Sequence, residues 1–471
     1  MLTFIDSAIL AVTNVLYQPF FLPLILVAGG LFFTWKTGLM QLRLFREALR
    51  VILAKPEKEE NISSFGALML STASRVGTGN IIGVSTAICL GGPGSIFWMW
   101  VTAFLGGATA FIESTLAQIY KKKDEKGACY GGPAYYMQNA LGQRWMGVIF
   151  SFLIICIYAI GYNMLAAYNL QSTFAAFSFY DASSTPAIIG IIITLLFGCS
   201  VLGGAKRLTR VTEMLVPVMG VLYVLVAVIV ILINYRNIPS MFYSIFSNAF
   251  DFRAIFGGLS GSCFMYGVKR GLYSNEAGMG SAPNASAKAD VAHPAAQGLV
   301  QMISVFIDTL LICSATALMC LSTNVVPEAE LAGAGYVQLS MEKALGASGP
   351  IFIAVSLSLF AFTTLIGNYS YCEGCIDFIL KRPAKKSELL AFRLFASTVL
   401  FLGFISSADL VWDLADMLQG LIVCINMPAI FLLHRHAIDC LKDYTKQRAS
   451  TDKPRFHAKD IGLKEKLDFW E

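Results

Sequence analysis

Charge is the scarcest ingredient of this chain: 14% of its 471 residues are Asp, Glu, Lys or Arg, whereas 56% are hydrophobic. A soluble domain carries about a quarter charged residues, so water is not the solvent for most of this sequence. Histidine is scarce too. The four present, His293, His434, His436 and His457, are expected in loops or the tail, and no HExxH motif or paired-acid metal spacing occurs inside an apolar run. That argues against an intramembrane enzyme. No filter-like loop repeats along the chain, which speaks against a channel. The opening stretch Met1–Tyr17 has no Lys or Arg and no small-residue cleavage pattern, so it is expected to be retained rather than removed as a leader. The eleven cysteines are scattered through apolar stretches as small hydrophobes. Cys372 and Cys375 form a CxxC, but without a second pair, and read as packing residues.

What the chain has in abundance is long apolar runs, such as Met214–Ile233, Ile351–Leu365 and Leu410–Leu433, long enough to cross ~30 Å of hydrocarbon. About eleven spans are expected, near 18–35, 65–92, 95–120, 148–178, 186–203, 211–233, 252–283, 294–322, 349–380, 389–405 and 409–434. The net charge of +5 matters less than its placement. Basic residues gather at Lys36–Lys58, Lys121–Arg144, Lys206–Arg210, Lys381–Arg393 and Arg435–Lys466, which are alternate loops. With those loops inside, the amino terminus lies outside and the tail is cytoplasmic. Nucleic acid is not an expected partner, because the clusters lack interleaved stacking aromatics. No obligate protein partner is evident.

Two spans break the rules for a membrane helix. The second contains Arg75-Val76-Gly77-Thr78-Gly79-Asn80, and the seventh contains Gly271-Leu272-Tyr273-Ser274-Asn275-Glu276-Ala277-Gly278-Met279-Gly280. Glycine and polar residues at that density favour unwinding, tolerated in a membrane only where the backbone is buried in protein or lines a cavity. Setting the first span aside, the rest divide into two sets of five, each opened by an interrupted helix. Five is odd, so the second set enters from the opposite side: an inverted repeat of the secondary-transporter kind. The expected fold is therefore an all-α integral membrane protein. Its expected divisions are an N-terminal helix and basic loop (1–60), a first five-helix repeat (61–235), a second repeat (236–435) and a tail (436–471).

At these residues the sequence resembles the alanine or glycine:cation symporter family. Val76-Gly77-Thr78-Gly79-Asn80-Ile81 followed by Gly91-Gly92-Pro93-Gly94-Ser95-Ile96-Phe97-Trp98-Met99-Trp100 is similar to one family signature, and Lys269–Pro283 to another. Weaker agreement runs through Gly367-Asn368-Tyr369 and the last spans. Ser95, Thr173 and Asn368 depart from the family's usual residues. The resemblance implies uptake of alanine or glycine, coupled to sodium or protons, across the bacterial inner membrane. It also implies a leucine-transporter-like five-plus-five fold without a resident cofactor.

A free amino acid presents a carboxylate and an ammonium on neighbouring atoms, and a broken helix offers N–H groups to the first and carbonyls to the second. Gly77, Thr78, Gly79 and Asn80 are candidates for the carboxylate. Tyr273, Ser274, Asn275, Glu276, Gly278 and Met279 are candidates for the ammonium and the pocket wall, Glu276 more in a supporting role. Lys269, Arg270 and Arg75 are available to neutralise Glu276. Gln171 resembles a family residue facing substrate, or else caps its helix; Ile366 and Asn368 complete the candidate pocket. Ser74, Gly77, Thr363 and Thr364 are the candidate sodium ligands, although membrane-helix hydroxyls more often bond a preceding carbonyl. Asp308 and Glu113 are the other acids inside apolar runs. Glu113 lies near Lys121–Lys123 and is expected to pair there, while Asp308 remains open as a proton relay. Gly131–Ala134 is expected to turn into a short interfacial helix, and Glu328–Ala344 to form a short external one.

Overall fold

The structure is a computed structural model and describes residues 2–18, 21–53, 62–123, 129–202, 204–250, 262–463 and 467–470. It is an all-α membrane protein. Among the described residues, seven helices are long and apolar enough to cross a bilayer: Gly94–Ile119, Arg144–Ala176, Arg210–Ile233, Pro294–Ser322, Ser348–Leu380, Lys386–Phe404 and Ala408–Arg448. Shorter apolar helices lie at Leu22–Lys36 and Thr185–Val201. Both suspect spans are interrupted. The first runs as Ser64–Arg75, a 3₁₀ turn at Thr78–Asn80 and Ile82–Gly91. The second runs as Cys263–Asn275 and Ala282–Ser286; the 251–261 part of the expected seventh span lies outside the described residues.

The apolar surface is turned outward as a bilayer demands. Ile188, Ile191, Leu195 and Leu196 are exposed on one helix, and Val221, Leu222, Leu225 and Ile229 on another. The polar residues are buried instead: Asn80, Glu113, Asp308, Asn368 and Asn426 are fully buried. In hydrocarbon an unpaired polar group costs several kcal/mol, so such residues collect inside and bond to one another. The Ser348–Leu380 helix meets the first broken helix at backbone distance. A Cβ on Gly367 would lie 2.6 Å from the Ser74 amide nitrogen, which is why glycine stands there.

Several elements differ from the expected ones. Leu2–Leu16 is a helix and packs on the last one, with the Thr13 hydroxyl donating to the Asp413 carbonyl (3.3 Å). Ile238–Ala249, expected as loop, is an amphipathic helix that buries Met241, Ile245 and Ala249. Its four-residue rhythm is shorter than a span, and its polar residues mimic a linker. The final helix runs on to Arg448, so His434 and His436 are helical rather than in a loop or the tail. Beyond that helix the tail docks back on the bundle. The Phe456 amide donates to the Ala292 carbonyl (3.0 Å), and the Trp470 indole N–H to the Gln118 carbonyl (2.8 Å). A two-residue ladder, Lys122–Lys123 with Cys129–Tyr130, is a small β element in the loop after Gly94–Ile119. The short helices Pro133–Asn139 and Ala334–Leu345 form where expected. The latter packs against the Ile82–Gly91 half of the first broken helix, and the Gly333 amide just before it donates to the Ser85 hydroxyl (3.2 Å).

Candidate functional site

The first break starts where glycine removes the steric bias toward helix. Val76 and Gly77 are extended, and the chain then makes a single 3₁₀ turn. Asn80 organises that turn. Its Oδ1 accepts from the Gly77 amide (2.8 Å), and its Nδ2 donates to Asp308 Oδ1 (2.7 Å) and Ser274 Oγ (3.1 Å). The backbone amides of Asn80 and Ile81 bond to the Gly77 and Thr78 carbonyls (3.2 and 3.3 Å). The N–H groups of Thr78 and Gly79 are left without a hydrogen-bond acceptor among the described residues. Two adjacent free donors at buried residues are a carboxylate-sized opportunity. Asn80 and Gly77, expected beside them as carboxylate donors, are instead engaged in holding the turn.

Tyr273 of the second broken helix roofs this turn. Its hydroxyl pairs with Thr78 Oγ1 (3.1 Å), which also accepts from Asn169 Nδ2 (3.2 Å). A Cβ on Gly79 would fall 2.8 Å from the Tyr273 ring. The ring is wedged against Tyr162 and Trp412, with centroids at 5.1 and 5.4 Å.

The second break is made differently. Glu276 takes the left-handed conformation (φ 55°), followed by Gly278 (φ 92°) and Gly280 (φ 75°). Its polar groups are fastened from several directions. The Ala277 amide donates to Asn275 Oδ1 (3.0 Å) and the Gly280 amide to Glu113 Oε2 (3.1 Å). Asn426 Nδ2 donates to the Gly278 carbonyl (3.0 Å) and to Glu113 (3.0 Å). Glu113 therefore braces the second break and does not pair with Lys121, whose ammonium donates to the Ala289 carbonyl (3.0 Å) and sits over Phe469.

Glu276 links the two breaks. Its Oε2 accepts from Ser281 Oγ (2.6 Å), and its Oε1 lies 3.3 Å from Ser74 Oγ, which donates more closely to Asn368 Oδ1 (2.7 Å). The expected neutralising cations are elsewhere. Lys269 and Arg270 both bind Asp416, at 2.6 and 3.0 Å, and Arg270 lies over Trp412 at 4.1 Å. That buried cluster closes one side of the Tyr273 roof. Arg75 makes no ion pair among the described residues; Nη1 reaches Gln301 Oε1 at 3.5 Å.

The structure thus brings Ser74, Gly77, Thr78, Gly79, Asn80, Tyr273, Ser274, Glu276, Thr364 and Asn368 together. A Cβ on Gly77 would collide with Thr364 Oγ1, which itself lies 3.5 Å from the Val76 carbonyl. Thr363 faces away: its hydroxyl bonds the Leu359 and Phe360 carbonyls of its own helix and touches Met219. Gln171 also stands apart, accepting from the Tyr180 hydroxyl (2.8 Å) near its helix end. Met279 is buried beside the Tyr162 hydroxyl, and Ile366 is buried two residues before Asn368 on the same helix. Three residues were missed: Asn163, whose Oδ1 accepts from Asn368 (3.0 Å), Asn169 and Tyr162. Asparagines inside the apolar run 148–178 were the available signal.

Residues 2–458 match the sodium:alanine symporter family. The chain is 41% identical over 456 residues to the probable sodium/glutamine symporter GlnT of Bacillus subtilis, covering 96% of this chain and 93% of that one. It is 40% identical over 447 residues to the amino-acid carrier protein AlsT of the same organism (95% and 94%). Over 462 residues it is 36% identical to the sodium/alanine symporter AgcS of Methanococcus maripaludis (95% and 99%).

Proposed function

The chain belongs to the sodium:alanine symporter family, cation-coupled amino-acid symporters rather than enzymes, and from that premise we propose that it carries alanine or glycine into the cell with sodium by alternating access. The observation that carries this reading is the pair of amides at Thr78 and Gly79, without an acceptor among the described residues, beside the Tyr273 ring. They suit the carboxylate of a free amino acid, and the close roof over Gly79 suits a small side chain. Ser74, Gly77 and Thr364 supply hard oxygen near the break for sodium, with the Val76 carbonyl beside them. Thr363 is withdrawn from that set.

In this reading the ten spans after Leu22–Lys36 form two inverted sets of five, residues 61–235 and 236–435, giving eleven spans in all. The basic loops face the cytoplasm, the amino terminus lies outside and the tail inside. The Arg270–Asp416 cluster then lies on the outer side of the site and closes it from that direction.

Uptake of labelled alanine and glycine into proteoliposomes, with sodium and proton gradients imposed separately, tests the proposal. Sodium-driven accumulation and counter-flow exchange are expected. Glutamine belongs among the competitors because a relative is named for it; accumulation of glutamine in place of alanine would overturn the substrate, and proton-driven uptake alone would overturn the ion.

A further inference from the structure

The chain between the first span and the first broken helix carries a surface that the transport reading does not use. After Leu22–Lys36 it continues as two short helices, Met40–Arg43 and Phe45–Ile52. One face of the longer helix, Ala48, Val51 and Ile52, is buried, and the helix packs on Pro294–Ser322 and on Ser64–Arg75. Phe45 stacks on Phe306 of the former, with ring centroids 6.3 Å apart. A second face is apolar yet uncovered: Leu42 (68% exposed), Phe45, Leu49 and Leu53 (82% exposed) recur every three or four residues and so form one line. Trp35 and Leu39, also exposed, extend it toward the first span.

A third face is basic. Arg43, Arg46 and Arg50 are exposed beside the leucines, and the Lys36 ammonium stands over the Trp35 ring (4.6 Å). Glu47 is the only acid from Lys36 to Leu53, and it turns to the protein, accepting from the Tyr444 hydroxyl (2.7 Å) and from Arg448 Nε (2.8 Å). The arginines have little else to bind. Arg43 donates to the Thr37 carbonyl (3.2 Å), Arg50 meets Asp452 in an exposed pair (3.2 Å), and Arg46 has no ion-pair or hydrogen-bond partner among the described residues. An exposed pair of that kind is weak and yields to a stronger anion. Guanidinium forks left open beside a line of uncovered leucines match a phosphate ester joined to acyl chains.

We propose that this face docks one anionic phospholipid, its phosphate held by Arg43, Arg46 and Arg50 and its acyl chains laid along Leu42, Phe45, Leu49 and Leu53. Charge complementarity selects the occupant. Three exposed guanidinium groups, with Asp452 the one acid paired to them among the described residues, attract a headgroup of net negative charge, whereas a zwitterionic headgroup brings its own cation. With the basic loops inside, as proposed above, the lipid belongs to the cytoplasmic leaflet; the binding itself does not depend on what the chain carries. Because the same helix packs on Ser64–Arg75 and on Pro294–Ser322, the bound lipid ties both to the bilayer surface.

The test is lipid titration of the purified full chain in detergent, read by melting temperature and by native mass spectrometry; neither readout involves uptake, so failure of the transport reading is seen separately. Phosphatidylglycerol is expected to raise the melting temperature of the wild type and to leave one lipid bound, whereas phosphatidylcholine and inorganic phosphate do neither. Each of Arg43→Gln, Arg46→Gln and Arg50→Gln should weaken the apparent affinity for phosphatidylglycerol about fivefold, and the triple variant on the order of 100-fold. Lys343→Gln, on the Ala334–Leu345 helix, should keep the wild-type affinity. Wild-type affinity in the triple variant, or equal stabilisation by phosphatidylglycerol and phosphatidylcholine, overturns the proposal. An equal effect of inorganic phosphate makes this a site for a free anion and overturns the lipid. If the triple variant does not fold, Arg46→Gln decides alone, since its side chain gives up no ion pair or hydrogen bond among the described residues, and an unchanged affinity overturns the idea. Leu42→Ser combined with Leu53→Ser should weaken phosphatidylglycerol binding as well; a fall from dimer to monomer mass in that variant, with lipid affinity intact, assigns the face to a second copy of the chain instead.

Discussion

The two broken helices interrupt for the same reason, glycine at membrane depth, but they dispose of their peptide groups in opposite ways. In the first, one neutral side chain, Asn80, caps Gly77, and two N–H groups have no acceptor among the described residues. In the second, Asn275, Glu113 and Asn426 all bind the exposed backbone, and three residues in a five-residue stretch have positive φ. An unwound segment with spare donors is suited to a ligand, whereas one whose groups are consumed by other helices is suited to being a frame. The difference teaches that glycine content marks where a membrane helix opens, and the surrounding polar side chains decide what the opening is for.

The comparison breaks most sharply at glycine. Gly79→Leu is expected to abolish alanine binding, on the order of 100-fold or more, because its side chain and the Tyr273 ring claim the same space; overpacking of this kind costs ~1–3 kcal/mol before any ligand contact is lost. The variant should remain folded, its stability lowered by no more than that overpacking cost. Gly278→Ala should do the reverse. Its φ of 92° is hostile to any side chain, and a Cβ would lie 3.0 Å from Met427 Sδ, so a stability loss of about 1–3 kcal/mol is expected, with alanine affinity in the folded fraction retained. A binding isotherm and a melting curve on each variant separate the two. Identical behaviour of the pair would erase the distinction between ligand face and frame.

Alaninamide sharpens the same contrast from the ligand side. It keeps the ammonium and the methyl group but loses the negative charge, and a hydrogen bond to a charged partner contributes ~1.5–3 kcal/mol. It should therefore bind at least about tenfold more weakly than alanine at fixed sodium. Equal affinities would remove the Thr78 and Gly79 amides from the site.

Sequence made the openings legible and left their wiring dark. Gly77, Gly79, Gly278 and Gly280 announce themselves, since nothing else explains such density inside an apolar run. Asn80 has the chemistry of a ligand donor, and local sequence cannot reveal that its amide is spent on Asp308, 228 residues away. Glu276 has Lys269 and Arg270 as near neighbours in the chain, yet the fold gives both to Asp416 on the last helix. Glu113 is close to Lys121 in the same sense, although two helical turns point them to different surroundings. The amphipathic Ile238–Ala249 helix escapes notice because it is shorter than a span. In each case but the last the missing term is a contact between distant segments, which the hydrophobic pattern does not encode.

The finest test concerns two adjacent threonines. Thr363 and Thr364 are indistinguishable in sequence, yet successive helical residues point about 100° apart. Thr363 spends its hydroxyl on its own helix, at 3.1 and 3.0 Å from the Leu359 and Phe360 carbonyls. Thr364 directs its hydroxyl at the first break, beside Gly77 and the Val76 carbonyl. If that oxygen is a sodium ligand, Thr364→Ala should raise the sodium concentration for half-maximal uptake by about two- to tenfold, the scale of a single lost polar contact of ~0.5–1.5 kcal/mol. Maximal uptake at saturating sodium should recover. Thr364→Ser, which keeps the oxygen, should stay close to wild type. Thr363→Ala removes a bond that only folds a hydroxyl onto its own helix, so its sodium dependence should be unchanged. A sodium curve that shifts in Thr363→Ala but not in Thr364→Ala would move the ion to the far face of this helix, and with it the assignment of the first break as the place where ion and amino acid meet.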